Sequence, residues 1–224
     1  MILNKLSLSK ITKLTHDVHE LIFVSELDFD FIPGQFLTFI LPSGLRRAYS
    51  IVYKNWNRLS FIIKKLENWR WWSRELCDLQ QGEEISYMWP IWDFILNSLD
   101  VNKLFLWTWT GFAPLFCQFK KALENWAKEK IKFIFWVRYK NDLFYELELK
   151  NLKNEYTNFD YLLYLSREDT FQYRKWYVSN FLTRESVAQF SEFYVCWRVQ
   201  MIQDSRIRLD SLWIEKDRIF FEQY

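Results

Sequence analysis

The chain predicts a β + α/β architecture: an N-terminal antiparallel β-barrel over residues 1–98, then a doubly wound parallel sheet over residues 99–224. Two observations predict it. Short β-rich runs bounded by Pro, Gly, Asn or Asp fill the first part, the spacing of a small antiparallel barrel. After Asp100 short apolar strands alternate with amphipathic helices, and such alternation builds a parallel sheet through right-handed crossovers. With 224 residues, half hydrophobic and 26% charged, the chain has material for two cores of about a hundred residues each.

The barrel strands are read in HELIFVSEL, GQFLTFILP, RRAYSIVYK and RLSFIIKKLE, with one short helix in SRELCDLQ at residues 73–80. In the second part KLFLW is a buried strand and GFAPLFCQFKKALENW an amphipathic helix. IKFIFWVR, FDYLLYLSRE, EFYVCW and RIFFEQY are further strands. DLFYELELKNLKNEY, VSNFLTRESVAQF and VQMIQDSRIRLDSLW are the helices between them.

Bulk properties exclude several functions. A net charge of +2 gives no basis for nucleic acid as a partner. Cys77, Cys117 and Cys196 are odd in number and far apart, which suits a reducing compartment and provides no spacing for an iron–sulfur cluster. The N-terminus mixes polar with apolar residues and is no signal peptide; the longest uncharged run, residues 104–119, is too short to insert in a bilayer. The expected location is cytoplasmic. His16 and His19, the two histidines, are expected to decorate a strand end rather than ligate metal.

The anomaly is tryptophan. Thirteen of them accompany four glycines, and the combined 17 is close to the about 16 glycines that about 7% usage gives. Trp56 stands in a turn, Trp69, Trp71 and Trp72 in a polar loop, Trp107 and Trp109 after an apolar strand, and Trp126 where a helix takes its C′ glycine. Trp176 and Trp213 hold similar places before and after a helix. These tryptophans are expected to stand where the working protein has glycine, as a UGA codon read as Trp instead of Gly would produce. A non-glycine residue forced into the left-handed region costs about 1–2 kcal/mol, and overpacking adds about 1–3 kcal/mol. Thirteen such costs exceed the about 5–15 kcal/mol that stabilises a domain. The chain as written is therefore expected to fold poorly and bind no cofactor. The competing reading, a non-catalytic Trp-rich protein that binds sugars or membrane surfaces, predicts exposed clusters of indoles.

Four motifs carry chemistry. RRAYS, residues 46–50, places a guanidinium, an aromatic face and a hydroxyl near one another, a set able to meet a phosphate and a planar ring. WTWTGFAP, residues 107–114, reads with glycines as GTGTGFAP, a ring of backbone amides at a helix N-terminus that suits a pyrophosphate. YLSRED ends a strand with Ser166 and Arg167, which can pair with a phosphate on an adenosine ribose; a solvated charge run is the alternative. VCWRVQM, residues 195–201, puts the thiol of Cys196 at a strand end, where an inert core cysteine is the alternative.

Together these motifs resemble the ferredoxin–NADP⁺ reductase family, which includes the reductase components of oxygenases, and the resemblance covers essentially the whole chain. RAYS matches the flavin motif RxYS: by resemblance Arg47 binds the FAD pyrophosphate, Ala48 and Tyr49 line the flavin with Tyr49 stacked on it, and Ser50 lies near flavin N5. IIKK supplies Ile63 and Lys64 on the next flavin-contacting strand. RWWSREL, read as RGGSREL, gives Trp71, Trp72 and Ser73 phosphate-binding roles. MWPIWDF, read as MGPIGDF, matches the segment that closes the barrel. The nicotinamide signatures comprise Trp107, Thr108, Trp109, Thr110, Gly111 and Pro114 in one loop, with Cys196, Trp197 and Met201 in the other. The ending resembles the terminal strand whose last aromatic covers the flavin, here Tyr224; Ser50, Cys196 and Tyr224 are thus the residues nearest the reaction. Arg198 departs from the Pro of many relatives. The resemblance implies FAD with NADP(H) or NAD(H), and electron transfer to a separate carrier such as ferredoxin or flavodoxin. An NADH-linked reductase component of an oxygenase or cytochrome reductase is the alternative.

Overall fold

The computed structural model describes residues 4–66, 72–91, 94–168, 174–175, 180–197 and 199–223. The first sheet contains β1 (Asn4–Lys13), β2 (Val18–Ser25), β3 (Phe36–Ile40), β4 (Arg46–Ser50), β5 (Tyr53–Asn55), β6 (Arg58–Lys64) and β7 (Glu84–Ile91). Their order is β4-β3-β7-β1-β2-β6-β5, with antiparallel ladders between neighbours. The sheet curls until β4 lies against β6, the barrel-like closure expected of the first half. Its inner face is apolar by alternation: Leu6 and Leu8 of β1, Leu21 and Phe23 of β2, and Phe39 and Phe61 are all essentially buried. Phe39 meets Phe61 at 4.9 Å and Phe23 at 5.5 Å between ring centres. Helix α1 (Trp72–Cys77) closes one end with Leu76 and Cys77.

The sequence reading missed β1 and β7 and joined β4 to β5. In β1 the apolar stripe is thin, and a bulge between Leu8 and Lys10 shifts its register. In β7 a proline and a tryptophan obscure the alternation. The break after Ser50 has a packing cause. Ile51 and Val52 are consecutive and both fully buried, Ile51 in the barrel core and Val52 in the core of the second sheet. A single straight strand cannot bury two neighbours on one face.

The second sheet contains β8 (Lys103–Thr108), β9 (Ile131–Val137), β10 (Phe159–Leu165), β11 (Arg174–Lys175), β12 (Glu192–Trp197) and β13 (Ile219–Gln223). Their order is β11-β10-β9-β8-β12-β13, and the ladders are parallel. Helices α2 (Phe112–Glu124), α3 (Glu146–Glu155), α4 (Arg184–Val187) and α5 (Val199–Ser211) connect them. All six residues of β8 are buried, as a strand covered on both faces requires. Phe105 and Trp107 pack with Phe112, Phe116 and Phe119 of α2, whereas Leu104 and Leu106 pack with Ile202 and Leu209 of α5.

Two expected helices are shorter than their apolar patterns. Residues 142–145 do not extend α3, because Asp142 accepts the Tyr139 amide at 3.0 Å in a preceding 3-10 turn and Tyr145 adopts φ 59°. In VSNFLTRESVAQF, of which residues 178–179 lie outside the described ones, α4 begins after Thr183, whose hydroxyl accepts from the Ser186 amide at 3.2 Å.

The two sheets share a core. Val18, Val52 and Ile62 of the first half and Phe94 of the connection join the cluster built on α2. A polar clamp adds to it: the Tyr145 hydroxyl donates to Glu20 Oε1 at 2.7 Å, and the Ser60 hydroxyl donates to the same oxygen at 2.6 Å. Gly34 sits at this junction with φ 107°, where a Cβ would lie 1.9 Å from the Phe94 carbonyl oxygen, so a side chain has no room. Among the described residues no helix is long and apolar enough to cross a membrane.

Candidate functional site

The strand order reverses between β8 and β12. From β8 the chain steps outward through β9, β10 and β11, then returns to β12 on the other side. Loops leaving the C-terminal ends of two such strands diverge and leave a crevice, the usual ligand site of an open parallel sheet. The loop after β8 is the 3-10 turn Trp109–Gly111, which runs directly into α2. At the adjacent end of β12 stands Cys196, paired in register with Trp107.

Gly111 shows how closely these loops approach. A Cβ there would fall 2.8 Å from the Cys196 carbonyl oxygen and 3.1 Å from its sulfur. The sulfur is fully buried, and burial pushes the thiol well above its ordinary range, so it stays protonated. Pro114 lies in the first turn of α2, where a missing amide breaks no helical bond. Thr108 is fully buried, Thr110 half-buried and Met201 of α5 buried. The turn 109–111 also lies against β6, the barrel strand that holds Ile63 and Lys64. Ile63 is buried in the barrel core; Lys64 reaches Asp17 at 2.7 Å, and burial, only partly offset by Asp17, lowers its pKa.

RRAYS differs from its expected arrangement. Because β4 is a strand, Arg47 and Tyr49 point to one face, whereas Ala48 and Ser50 point to the other, so the three side chains do not converge on one spot. Tyr49 packs on Phe39 at 5.7 Å, and burial raises the pKa of its hydroxyl. Ser50 is buried. Arg47 lies with its guanidinium carbon 4.3 Å from the centre of the Trp72 ring, a cation–π contact. Ser73 is buried beside it and accepts the Leu66 amide at 2.9 Å.

The Trp107 ring points into the core, wholly buried, 3.6 Å from Phe135 and 4.6 Å from Phe112 between ring centres. Stacked rings prefer centres about 4.5–7 Å apart, so the spacing to Phe135 is compressed. Its Nε1 has no hydrogen-bond partner among the described residues.

Trp71, Arg198 and Tyr224 lie outside the described residues, as do Trp69, Trp92 and Trp176; for Trp109 and Trp197 only the backbone is described. Ser166 and Arg167 follow β10. Their amides donate to the Val137 and Arg138 carbonyls, each at 3.0 Å, which ties this loop to the one leaving β9. Arg138 is thereby brought beside Arg167. Sequence reasoning passed over it, although a cation directly after a parallel strand is the available signal. His16 sits in the turn before β2, between Asp17 at 3.4 Å and Asp142 at 3.6 Å.

As written, the site does not fit its implied cofactors. On the nucleotide side Gly111 and residues 112–114 of α2 are buried, so the helix N-terminus presents no open backbone to a phosphate. The flavin side does not fit as written, because the Trp72 ring covers the guanidinium that would meet a pyrophosphate.

Comparison with known proteins agrees with this geometry. Residues 105–206 match the oxidoreductase NAD-binding domain family. A component of the Na⁺-translocating NADH-quinone reductase of Marinomonas sp. is 27% identical over 161 residues, covering 68% of this chain and 40% of that protein. The reductase component of propane 2-monooxygenase from Mycolicibacterium smegmatis is 23% identical over 207 residues, covering 88% of this chain and 60% of that protein. The chain therefore spans only part of the length of these relatives. Among solved structures, a ferredoxin NADP⁺ reductase from Neisseria gonorrhoeae with bound FAD and NADP superposes with a TM-score of 0.84 at 18% identity, over 99% of this chain and 98% of that one. The FAD/NAD-binding domain of nitric oxide dioxygenase from Vibrio cholerae gives 0.87 at 14% identity, over 99% and 98%. The matched NAD-binding stretch lies in the second half, and the structural matches show that the two-domain fold is that of ferredoxin NADP⁺ reductase and related FAD/NAD-binding structures.

Proposed function

We propose that this chain is an NAD(P)H-dependent flavoprotein oxidoreductase that passes electrons to a separate one-electron carrier such as ferredoxin or flavodoxin. The observation that carries the reading is the reversal of strand order, where the turn of Thr110 and Gly111 meets Cys196 beside the barrel strand β6. The boundary near residue 98 separates an FAD half from a nucleotide half. Thr110 and Gly111 receive the nucleotide, Cys196 and Met201 wall its reacting ring, and Arg47, Tyr49, Ser50 and Tyr224 serve the flavin. The protein's contribution is orientation and exclusion of water, because the redox chemistry belongs to the cofactors.

This role requires a free Arg47. We therefore assign glycine to Trp71, Trp72, Trp107, Trp109 and Trp197 in the working protein, as UGA read as glycine would give. A second reading, an NADH-linked reductase component of an oxygenase or of a quinone or cytochrome reductase, is favoured by the names of the two sequence relatives.

Oxidation of NADPH and NADH by the glycine-bearing chain, with ferricyanide as a one-electron acceptor, tests the class. Turnover dependent on added FAD is expected; none with either nucleotide contradicts it. Ser166 and Arg167 lean the reading toward NADP(H). Arg167→Ala is expected to lower the preference for NADPH over NADH about tenfold, the loss of about 1.4 kcal/mol that one charge-assisted contact supplies. An unchanged preference removes Arg167 from the nucleotide site.

A further inference from the structure

Among the described residues, four that are not glycine have positive φ: Trp56 at 55°, Trp126 at 62°, Trp213 at 64° and Tyr145 at 59°. Three of the four are tryptophans, a residue for which this region is a steric outlier. Their settings are specific. Trp126 follows α2 at C′: its amide donates to the Leu123 carbonyl at 3.1 Å, and the next amide, of Ala127, donates to Ala122 at 3.0 Å. Trp213 follows α5 in the same way, its amide on Asp210 at 2.9 Å and that of Ile214 on Leu209 at 3.1 Å. These paired bonds are the Schellman helix ending, whose C′ residue is left-handed and ordinarily glycine. Trp56 opens the two-residue turn between β5 and β6, where Asn55 pairs with Arg58. Both favoured hairpin turns hold that first position at positive φ.

Packing does not explain these residues. Trp56 and Trp126 are 87% exposed and Trp213 is 83% exposed. Tyr145 makes the contrast, because its ring packs on Phe112 and Phe116 and its hydroxyl holds Glu20. The three tryptophans have the backbone of glycine and a side chain with little to do. They sit at the ends of three different elements, and none belongs to the phosphate-binding motifs.

We infer that the exchange is chain-wide. The gene spells glycine as UGA at all thirteen tryptophan positions, and the protein made in its own cells carries glycine at each of them beside the four glycines already present. The inference rests on backbone geometry outside the site and stands apart from the reductase reading.

The test is peptide mass spectrometry of the protein isolated from its own source, covering positions 56, 126 and 213, together with the codons of the gene. Glycine mass at all three positions and UGA at all thirteen codons are expected. Tryptophan at any of the three, or a UGG codon at any of the thirteen, overturns the inference. Glycine at all three in a protein that contains no flavin upholds it and removes the reductase reading instead.

Discussion

Replacing Trp56, Trp126 and Trp213 together by glycine is expected to raise the unfolding free energy by about 2 kcal/mol. Each replacement relieves about 1–2 kcal/mol of left-handed strain and gives back about 0.4–1 kcal/mol through the freer unfolded chain. Little burial is lost, since the three indoles are more than four-fifths exposed. For a chain of this size the gain raises the melting temperature by about 4–8 °C. The same exchange at Tyr145 has the opposite sign, because it removes the hydroxyl bond to Glu20 and the ring contacts with α2. Denaturant titration of both variants checks the pair. A destabilised triple variant, or a stabilised Tyr145→Gly, contradicts the assignment of glycine to those turns.

In the chain with glycine at the tryptophan positions, Gly111→Ala is expected to slow flavin reduction by NADPH tenfold to about a hundredfold, the effect of misplacing a reacting group by about 1 Å. The new methyl would lie 2.8 Å from the Cys196 carbonyl oxygen, a backbone atom fixed in β12, so the loop has to move away from the crevice. Overpacking there adds a destabilisation of about 1–3 kcal/mol. FAD content should stay unchanged, because the barrel is untouched. Rapid-mixing absorbance at the flavin band measures the rate; an unaltered rate places the nucleotide elsewhere.

The parallel half was the more legible in the sequence. Its strands are buried on both faces and read as continuous apolar runs, and KLFLWT became a strand with every residue buried. The barrel was harder, because β1 and β7 are interrupted by a bulge, a proline and a tryptophan, and alternation is the signal that such strands depend on. The proximity of Thr110 and Gly111 to Cys196 was legible because two motifs far apart in sequence both end parallel strands, and the order reversal joins them. Arg138 was not, because only the hydrogen bond between the two loops brings it beside Arg167. The split of Arg47 and Ser50 onto opposite faces was implicit in the strand period, but the cover that Trp72 forms over Arg47 required coordinates. The exposed Trp56, Trp126 and Trp213 occupy separate turns rather than a joined aromatic surface, which removes the main support for a Trp-rich binding protein.

Whether a flavin reductase site forms in this fold once glycine occupies the tryptophan positions is read from a visible spectrum. The thirteen-fold Trp→Gly chain is purified in the presence of FAD and then mixed with NADPH, with the chain as written prepared alongside. A yellow protein whose flavin absorption bleaches on adding the nucleotide is expected, beside a colourless parent. A folded, colourless thirteen-fold variant, or a parent that binds FAD equally well, would contradict the reading.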